Sequence, residues 1–461
     1  MTNGIRFACS VLLAAAVAAN GVASAAEDNA IVAESLRAAF HSGAADTGSD
    51  EANAGLDAIR DIYVVRDFKP IWVRDNGPKT KARALLGELK ISGVHGLSPE
   101  FYHASEIEAL MGSPAPDDLA RLDMLLSGAA VDFGGDLANG RLGPDTAPSE
   151  NAVPPIPLAP ADYVAAAEAA ENLRDFAGAM LSEDYRYVRL IAKLGEFSRI
   201  EASGRWPAID AGGAAIAAGA EDARMRDIRR LLALAGDLPI ALMDGSAVHD
   251  EKTVQAVRSF QTRHGLDPTG TIDGATLAAM AVPISTRIRQ IKVNLERRRW
   301  QNRDLGEDNI YINLADANVK IVHGGRPELF VELLNAPDLA LLPTFFGEIT
   351  GVEVRPSAAS PLALTVRSPF VERIAGEGGE RTIAVSDLSA LLAELVAARA
   401  PAGTATDALL SANAPATVAF ETPLPLFVTF VTAWANRDGT VHFRGDGSGR
   451  DAVVARLLQL D

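Results

Sequence analysis

The string from Thr253 to Leu277 constrains what this chain can fold into more than any other stretch. Val254, Val257 and Phe260 recur at helical spacing and form one apolar face, which predicts an amphipathic helix. Gly265 can end that helix in the left-handed conformation, and Gly270 permits a turn before Ile272. Asp273 is placed to cap a second helix carrying Thr276, Leu277 and Met280. With helical patterning from Met225 to Leu234, residues 221–283 read as a three-helix module.

Either side of the module the patterning differs. Residues 56 to about 230 read mainly as helices, including Lys81 to Lys90, Tyr163 to Leu181, and Leu119 to Phe133 with Leu122, Leu125 and Leu126 on one face. A Pro-rich loop from Pro144 to Pro160 interrupts them. Beyond residue 283, Tyr311 to Leu314, Asn318 to Val322 and Leu329 to Leu334 are short β-rich runs separated by turn residues. One helix is expected in this half: Ser386 caps it, Leu388, Leu391, Leu392 and Leu395 line one face, and Pro401 stops it. Leu424, Phe427, Phe430 and Trp434, on the last apolar strand, are expected to pack on that face. The fold class is α+β multidomain, in the order helical domain 56–220, small helical module 221–283, and mostly-β domain 284–461.

At 461 residues the chain is long enough for two or three cores, taking roughly 100–200 residues per domain. Its composition, 48% hydrophobic and 22% charged, excludes collagen-like, coiled-coil and wholly disordered architectures. Against 43 Lys+Arg stand 60 Asp+Glu, a net charge of −17, so the broad positive field needed for non-specific nucleic-acid binding is missing. The one cysteine, Cys9, lies in residues 1–25, which carry Arg6, an apolar run from Val11 to Ala19, and Ala23-Ser24-Ala25. That is the pattern of a secretory signal peptide, with an apolar run too short to span a bilayer. Cleavage leaves a chain without cysteine, hence without disulfides, thiol ligands or a thiol nucleophile. Residues 26–55, with the Ala/Gly/Asp/Ser-rich stretch Asp46 to Gly55, are expected to be a flexible linker. No later stretch is apolar for long enough to cross a membrane, and the expected location is the periplasm or cell envelope.

The register of Phe260-Gln261, Gly265-Leu266, Gly270 and Ile272-Asp273 resembles the peptidoglycan-binding domain of wall-targeted bacterial proteins. Its flanks extend the likeness. Arg287 to Trp300 resembles the segment entering the catalytic domain of large L,D-transpeptidases, the YkuD-type domain. Tyr63, Arg66, Phe68, Pro70 and Trp72, then Gly96-Leu97-Ser98-Pro99, then Gly204-Arg205-Trp206-Pro207, resemble the scaffold domain of those enzymes, with Phe68 and Trp72 expected in the core. Pro423 to Trp434, Asp438-Gly439, His442-Phe443-Arg444 and Gly449-Arg450-Asp451 resemble their last strands, Asp438-Gly439 being a natural hairpin turn. The resemblance implies peptidoglycan as ligand and active transpeptidases as protein partners.

What the resemblance implies for catalysis is missing. An L,D-transpeptidase acylates a cysteine within S-x-G-C-x-R, assisted by histidine and by backbone N–H groups at the oxyanion. Counting back from the helix expected at Asp387 to Ala400, Gly379 to Val385 takes the motif's place. Thr382 occupies the nucleophile position, Glu380 a position often held by histidine, Arg381 that of glycine and Ala384 that of arginine. The interval from Pro343 to Thr382 is shorter than the family's substrate-covering insert, and no histidine lies between His323 and His442. His323 is expected in a solvated hairpin turn. No catalytic residue is therefore assigned, and the chain reads as a catalytically inactive, peptidoglycan-binding family member. The alternative is an active transpeptidase or carboxypeptidase using Thr382, a hydroxyl that would need an adjacent base.

Other sites find less support. His41, His95, His103, His249, His264, His323 and His442 fall in no metal-ligand spacing, so neither metal nor cofactor is expected. The glycines of Gly445 to Gly449 follow a hairpin and read as a flexible turn, not a phosphate loop. Which residues contact the wall is not legible from the spacing.

Overall fold

The computed structural model describes residues 29–42, 59–181, 185–301, 305–324, 326–333, 342–354, 362–367, 380–383 and 416–460. The signal peptide and the helix expected from Ser386 to Ala400 lie outside the described residues. The chain divides into two compact units, one of 1–141 and 155–183, the other of 142–154 and 184–461.

The first unit is helical. Its helices are α1 (Ala30–Ser42), α2 (59–65), α3 (Thr80–Lys90), α4 (Ala104–Leu110), α5 (Pro116–Asn139), α6 (Pro160–Ala169) and α7 (Leu173–Met180), with a short hairpin of β1 (Val73–Arg74) and β2 (Gly77–Pro78). Helix α5 is the centre: Pro116 opens it, and Leu119, Leu122, Leu126, Phe133 and Leu137 are buried along it. The linker expected over 26–55 is corrected in part. Val32, Leu36 and Phe40 are buried in the core of this unit, four residues apart on α1. That periodicity makes residues 30–42 a packed helix; 43–58 lie outside the described residues.

Asp123 on α5 organises the motif around Trp72. Its carboxylate accepts the backbone N–H groups of Ile71 (2.9 Å), Trp72 (2.6 Å) and Val73 (2.9 Å) and the hydroxyl of Tyr63 (2.6 Å). Trp72 Nε1 donates to Ser127 Oγ at 2.9 Å. A buried carboxylate is tolerated here because each acceptor position finds a donor. Burial pushes the Asp123 carboxyl above its ordinary value despite those bonds. Phe68 and Trp72 are buried, as the sequence predicts.

The second unit begins with α8 (Tyr185–Ala202), then the module helices α9 (Met225–Ala235), α10 (Glu251–Arg263) and α11 (Gly274–Met280), then α12 (Ile284–Trp300). Strands β3 (Asn309–Asn313), β4 (Asn318–His323), β5 (Arg326–Glu332), β6 (Phe345–Val354), β7 (Leu362–Arg367), β8 (Glu380–Ile383) and β9 (Ala416–Thr429) form one sheet in the order β5-β4-β3-β9-β6-β7-β8. The β3–β9 pair is parallel and the rest antiparallel. A hairpin of β10 (Ala433–Ala435) and β11 (Val441–Phe443) and the helix α13 (Arg450–Leu457) complete the unit. The protein is α+β multidomain.

Alternation along the strands places Ile310, Ile312, Val319, Ile321, Val331, Leu424, Leu426 and Val428 in one core. Tyr311 and Phe427 are buried in a different cluster, against Val153. Leu424 and Phe427 therefore fall on opposite faces of the sheet, and one helix face cannot hold both. A spacing of three is helical, and this segment is a strand of period two.

Helix α12 is polar in sequence yet buried on most sides. Arg297 Nη1 donates to Asp451 at 2.5 Å, and Asp451 accepts from Thr432 Oγ1 at 2.6 Å. Asn294 exchanges hydrogen bonds with Thr432, donating to its Oγ1 at 2.8 Å and accepting its N–H at 2.9 Å. Arg450 reaches Glu150 at 2.8 Å. Burying these charges is tolerable because they are paired.

Candidate functional site

The module supplies the first candidate. Ile216, Ile228, Leu232, Val257, Phe260, Ile272 and Leu277 make its core, built on the apolar faces of α9, α10 and α11. Gly265 has φ 71° and Gly270 φ 79°. Asp273 caps α11 by accepting the Thr276 N–H at 2.8 Å, and Asp250 caps α10 through Thr253 at 2.9 Å.

Gln261 is wholly buried and clamps the turn at Gly270. Its Oε1 accepts the Gly270 N–H at 2.9 Å, and its Nε2 donates to the Thr271 carbonyl at 2.8 Å and to Thr276 Oγ1 at 3.0 Å. His249, also buried, donates from Nε2 to the Gly270 carbonyl at 2.9 Å. At Gly270 an added Cβ would meet Val254 Cγ1 at 2.8 Å, so the position admits only glycine. The residues that make the motif recognisable are thus the ones that hold the fold. Its exposed apolar residues lie elsewhere: Ile240, Met243 and Val248, in the loop between α9 and α10.

The module is anchored to the rest of its unit. Arg263 Nη1 donates to the Val441 carbonyl at 2.6 Å, and Arg444 Nη1 donates back to the Arg263 carbonyl at 3.1 Å. His264 stacks on Phe260 at 3.8 Å and on Phe443 at 5.7 Å between ring centres. Burial, then Arg287 and Arg263, hold its imidazole well below the ordinary histidine value. It is a neutral packing residue.

Thr382 lies on β8, the edge strand of the sheet as described, opposite Thr365 of β7. Glu380 is opposite Arg367 and Arg381 opposite Val366. His323 ends β4, paired with Arg326 across the β4–β5 hairpin. Strands β3, β9, β6 and β7 separate β4 from β8, about 24 Å at roughly 4.8 Å per step. His442 belongs to the other hairpin. Neither histidine is brought to Thr382 by strand pairing.

The glycine string 445–449 needs correction. It does lead into a helix: Gly449, at φ 62°, caps α13. The loop and the first turn nonetheless carry acidic side chains, which oppose a phosphate. Asp446 accepts from the Ser448 N–H at 3.0 Å; the Ser448 side chain first, and then this N–H, hold its carboxyl below the usual range, and Arg287 takes the Gly445 carbonyl at 2.8 Å. Asp451 stands in the first helical turn. Among the described residues no cluster of His, Cys, Asp and Glu is arranged to hold a metal ion. No helix among them is long and apolar enough to cross a membrane.

Comparison with known families gives two matches. Residues 57–194 match the family described as Scaffold domain, and residues 221–280 match the family described as peptidoglycan binding domain. No curated protein matches the chain. The β-rich C-terminal region lies beyond both matches, and no YkuD-type family matches it. A scaffold domain followed by a peptidoglycan-binding domain, ahead of a β-rich region, is the arrangement found in large L,D-transpeptidases.

Proposed function

We propose that this is an exported protein that binds peptidoglycan through residues 221–283 and serves a scaffolding or regulatory role beside active L,D-transpeptidases, without catalysing cross-linking itself. Its domains on this reading are a signal peptide at 1–25, a scaffold domain at 56–220, the binding module, and a degenerate YkuD-type domain at 284–461. The match of residues 221–280 to a peptidoglycan-binding family carries the binding half of the reading. The absence of a cysteine after Cys9, with Thr382 at the nucleophile position, supports the non-catalytic half.

A chain with net charge −17 is repelled by acidic wall polymers, so binding has to come from specific contacts and tolerate added salt. The test is co-sedimentation of the mature chain with purified peptidoglycan, beside a chain in which a flexible linker replaces 221–280. Pelleting of the first and loss of most pelleting in the second is the expected result. Equal pelleting of both would remove the module from the binding role.

The second reading keeps Thr382 as nucleophile in a transpeptidase or carboxypeptidase. It requires a base beside the hydroxyl, and Glu380, two residues away on β8, is the nearest sequence candidate.

A further inference from the structure

The register of the large sheet aligns residues that sequence spacing keeps apart. Phe330 of β5 is opposite Lys320 of β4, and Lys320 is opposite Tyr311 of β3. The Lys320 ammonium sits 5.3 Å from the Phe330 ring centre and 5.8 Å from that of Tyr311. Among the described residues the Lys320 ammonium makes no hydrogen bond and no ion pair. Phe330 is 57% exposed, the Arg186 guanidinium lies 5.8 Å from the Tyr311 ring, and Arg298 Nη1 donates to the Tyr311 hydroxyl at 3.3 Å.

The β10–β11 hairpin stands next to this strand. Asp316, just ahead of β4, accepts from Arg444 Nε at 2.6 Å. Arg444 lies 5.0 Å from the centre of Trp434, and Trp434 stacks on His442 at 5.1 Å with the rings only 4° from parallel. Lys320 is among the cations that press on His442. Rings and cations thus alternate over a surface of a protein that is strongly acidic as a whole.

Packing alone does not account for Lys320. Burial, with Arg186 and Arg298, lowers its amine to about 8, so its charge destabilises the folded state where an apolar side chain of similar length would not. The pairing of an under-bonded cation with the exposed Phe330 ring matches a ligand that is both anionic and a ring. Aromatic faces take the C–H side of a pyranose, and the ammonium takes a carboxylate.

We propose that the surface formed by Lys320, Phe330 and the Trp434–His442 stack binds a carboxylate-bearing sugar of the wall glycan, a second wall contact separate from the module. The proposal rests on the wall-binding reading for the source of that sugar.

The test uses the full chain with three soluble probes: glycan strands freed of peptide, which carry free lactyl carboxylates, neutral N-acetylglucosamine oligomers, and inorganic phosphate. Tryptophan fluorescence and calorimetry report binding, and pelleting with whole peptidoglycan is measured in parallel. Lys320→Met, which keeps the length of the side chain, is expected to fold at least as stably as wild type. It should weaken binding of the carboxylated strands at least tenfold and leave the neutral oligomers unchanged. Phe330→Ser is expected to weaken both. Equal affinity of wild type and Lys320→Met for the carboxylated strands overturns the proposal, even where whole peptidoglycan still pellets. Full displacement of the strands by phosphate, with no difference between sugars, overturns the sugar assignment. Failure of wild type to pellet with whole peptidoglycan counts instead against the wall-binding reading.

Discussion

Arg263 and Asp237 form an ion pair with both side chains buried, Arg263 Nε donating to Asp237 Oδ1 at 2.8 Å. Arg263 Nη1 simultaneously reaches the Val441 carbonyl, so one guanidinium closes the module and fastens it to the β10–β11 hairpin. Removing one partner leaves a charge in the interior. Arg263→Ala is expected to cost about 3–5 kcal/mol in denaturant unfolding. Asp237→Asn combined with Arg263→Gln should cost less than the sum of the two single changes. Additive single changes would show that the pair is not coupled.

Gly270 and Gly245 share a left-handed backbone, with φ 79° and 74°. At Gly245 an added Cβ meets nothing within 4 Å, whereas at Gly270 it meets Val254 and Arg258 below 3.0 Å. Gly245→Ala should cost only the conformational penalty, about 1–2 kcal/mol. Gly270→Ala should cost more by about 1–3 kcal/mol of overpacking. Thermal melts of the two variants settle the order, and equal losses would contradict the close approach at Gly270.

Burial, followed by Arg444 and Arg263, lowers the His442 imidazole from 6.5 to about 4. Between those values the unfolded chain binds a proton that the folded chain does not, so folding weakens as pH falls. Relative to His442→Gln, the wild type should lose stability from pH 6.5 down to about 4 and run parallel above 6.5. Parallel curves throughout would show that the imidazole titrates normally.

On the non-catalytic reading the wild-type chain forms no covalent adduct with muropeptides or with a carbapenem. Thr382→Cys alone should not create activity, because β8 and the strand ending at His323 are separated by four others and, among the described residues, strand pairing brings no histidine to Thr382. Mass spectrometry after incubation provides the measurement. An adduct mapped to Thr382 in the wild type would promote the enzyme reading.

Local chemistry was legible in the chain alone. Gly265, Gly270 and Asp273 act where spacing places them, because a left-handed turn or a helix cap depends on a few consecutive residues. The succession of helical and β-rich regions follows from periodicity for the same reason, and so does the Asp438-Gly439 turn, where Gly439 has φ 86°. Helix α1 carries the same periodic signal. Val32, Leu36 and Phe40 carry it, ahead of the loose Asp46 to Gly55 stretch and within residues expected to form a linker.

Tertiary structure alone decided the rest. Three consecutive arginines end α12, and Arg297 is buried because Asp451, some 150 positions away, meets it. Gln261 belongs to the motif by its register, and its amide is consumed by Gly270, Thr271 and Thr276. Tyr311, Lys320 and Phe330 fall in three separate β-rich runs of the sequence, and they become neighbours only through strand register. Register and the pairing of buried charges are contacts between distant segments, selected by how whole faces close on one another. Spacing along one strand tells which residues share a side, and only the assembled sheet tells what stands opposite them.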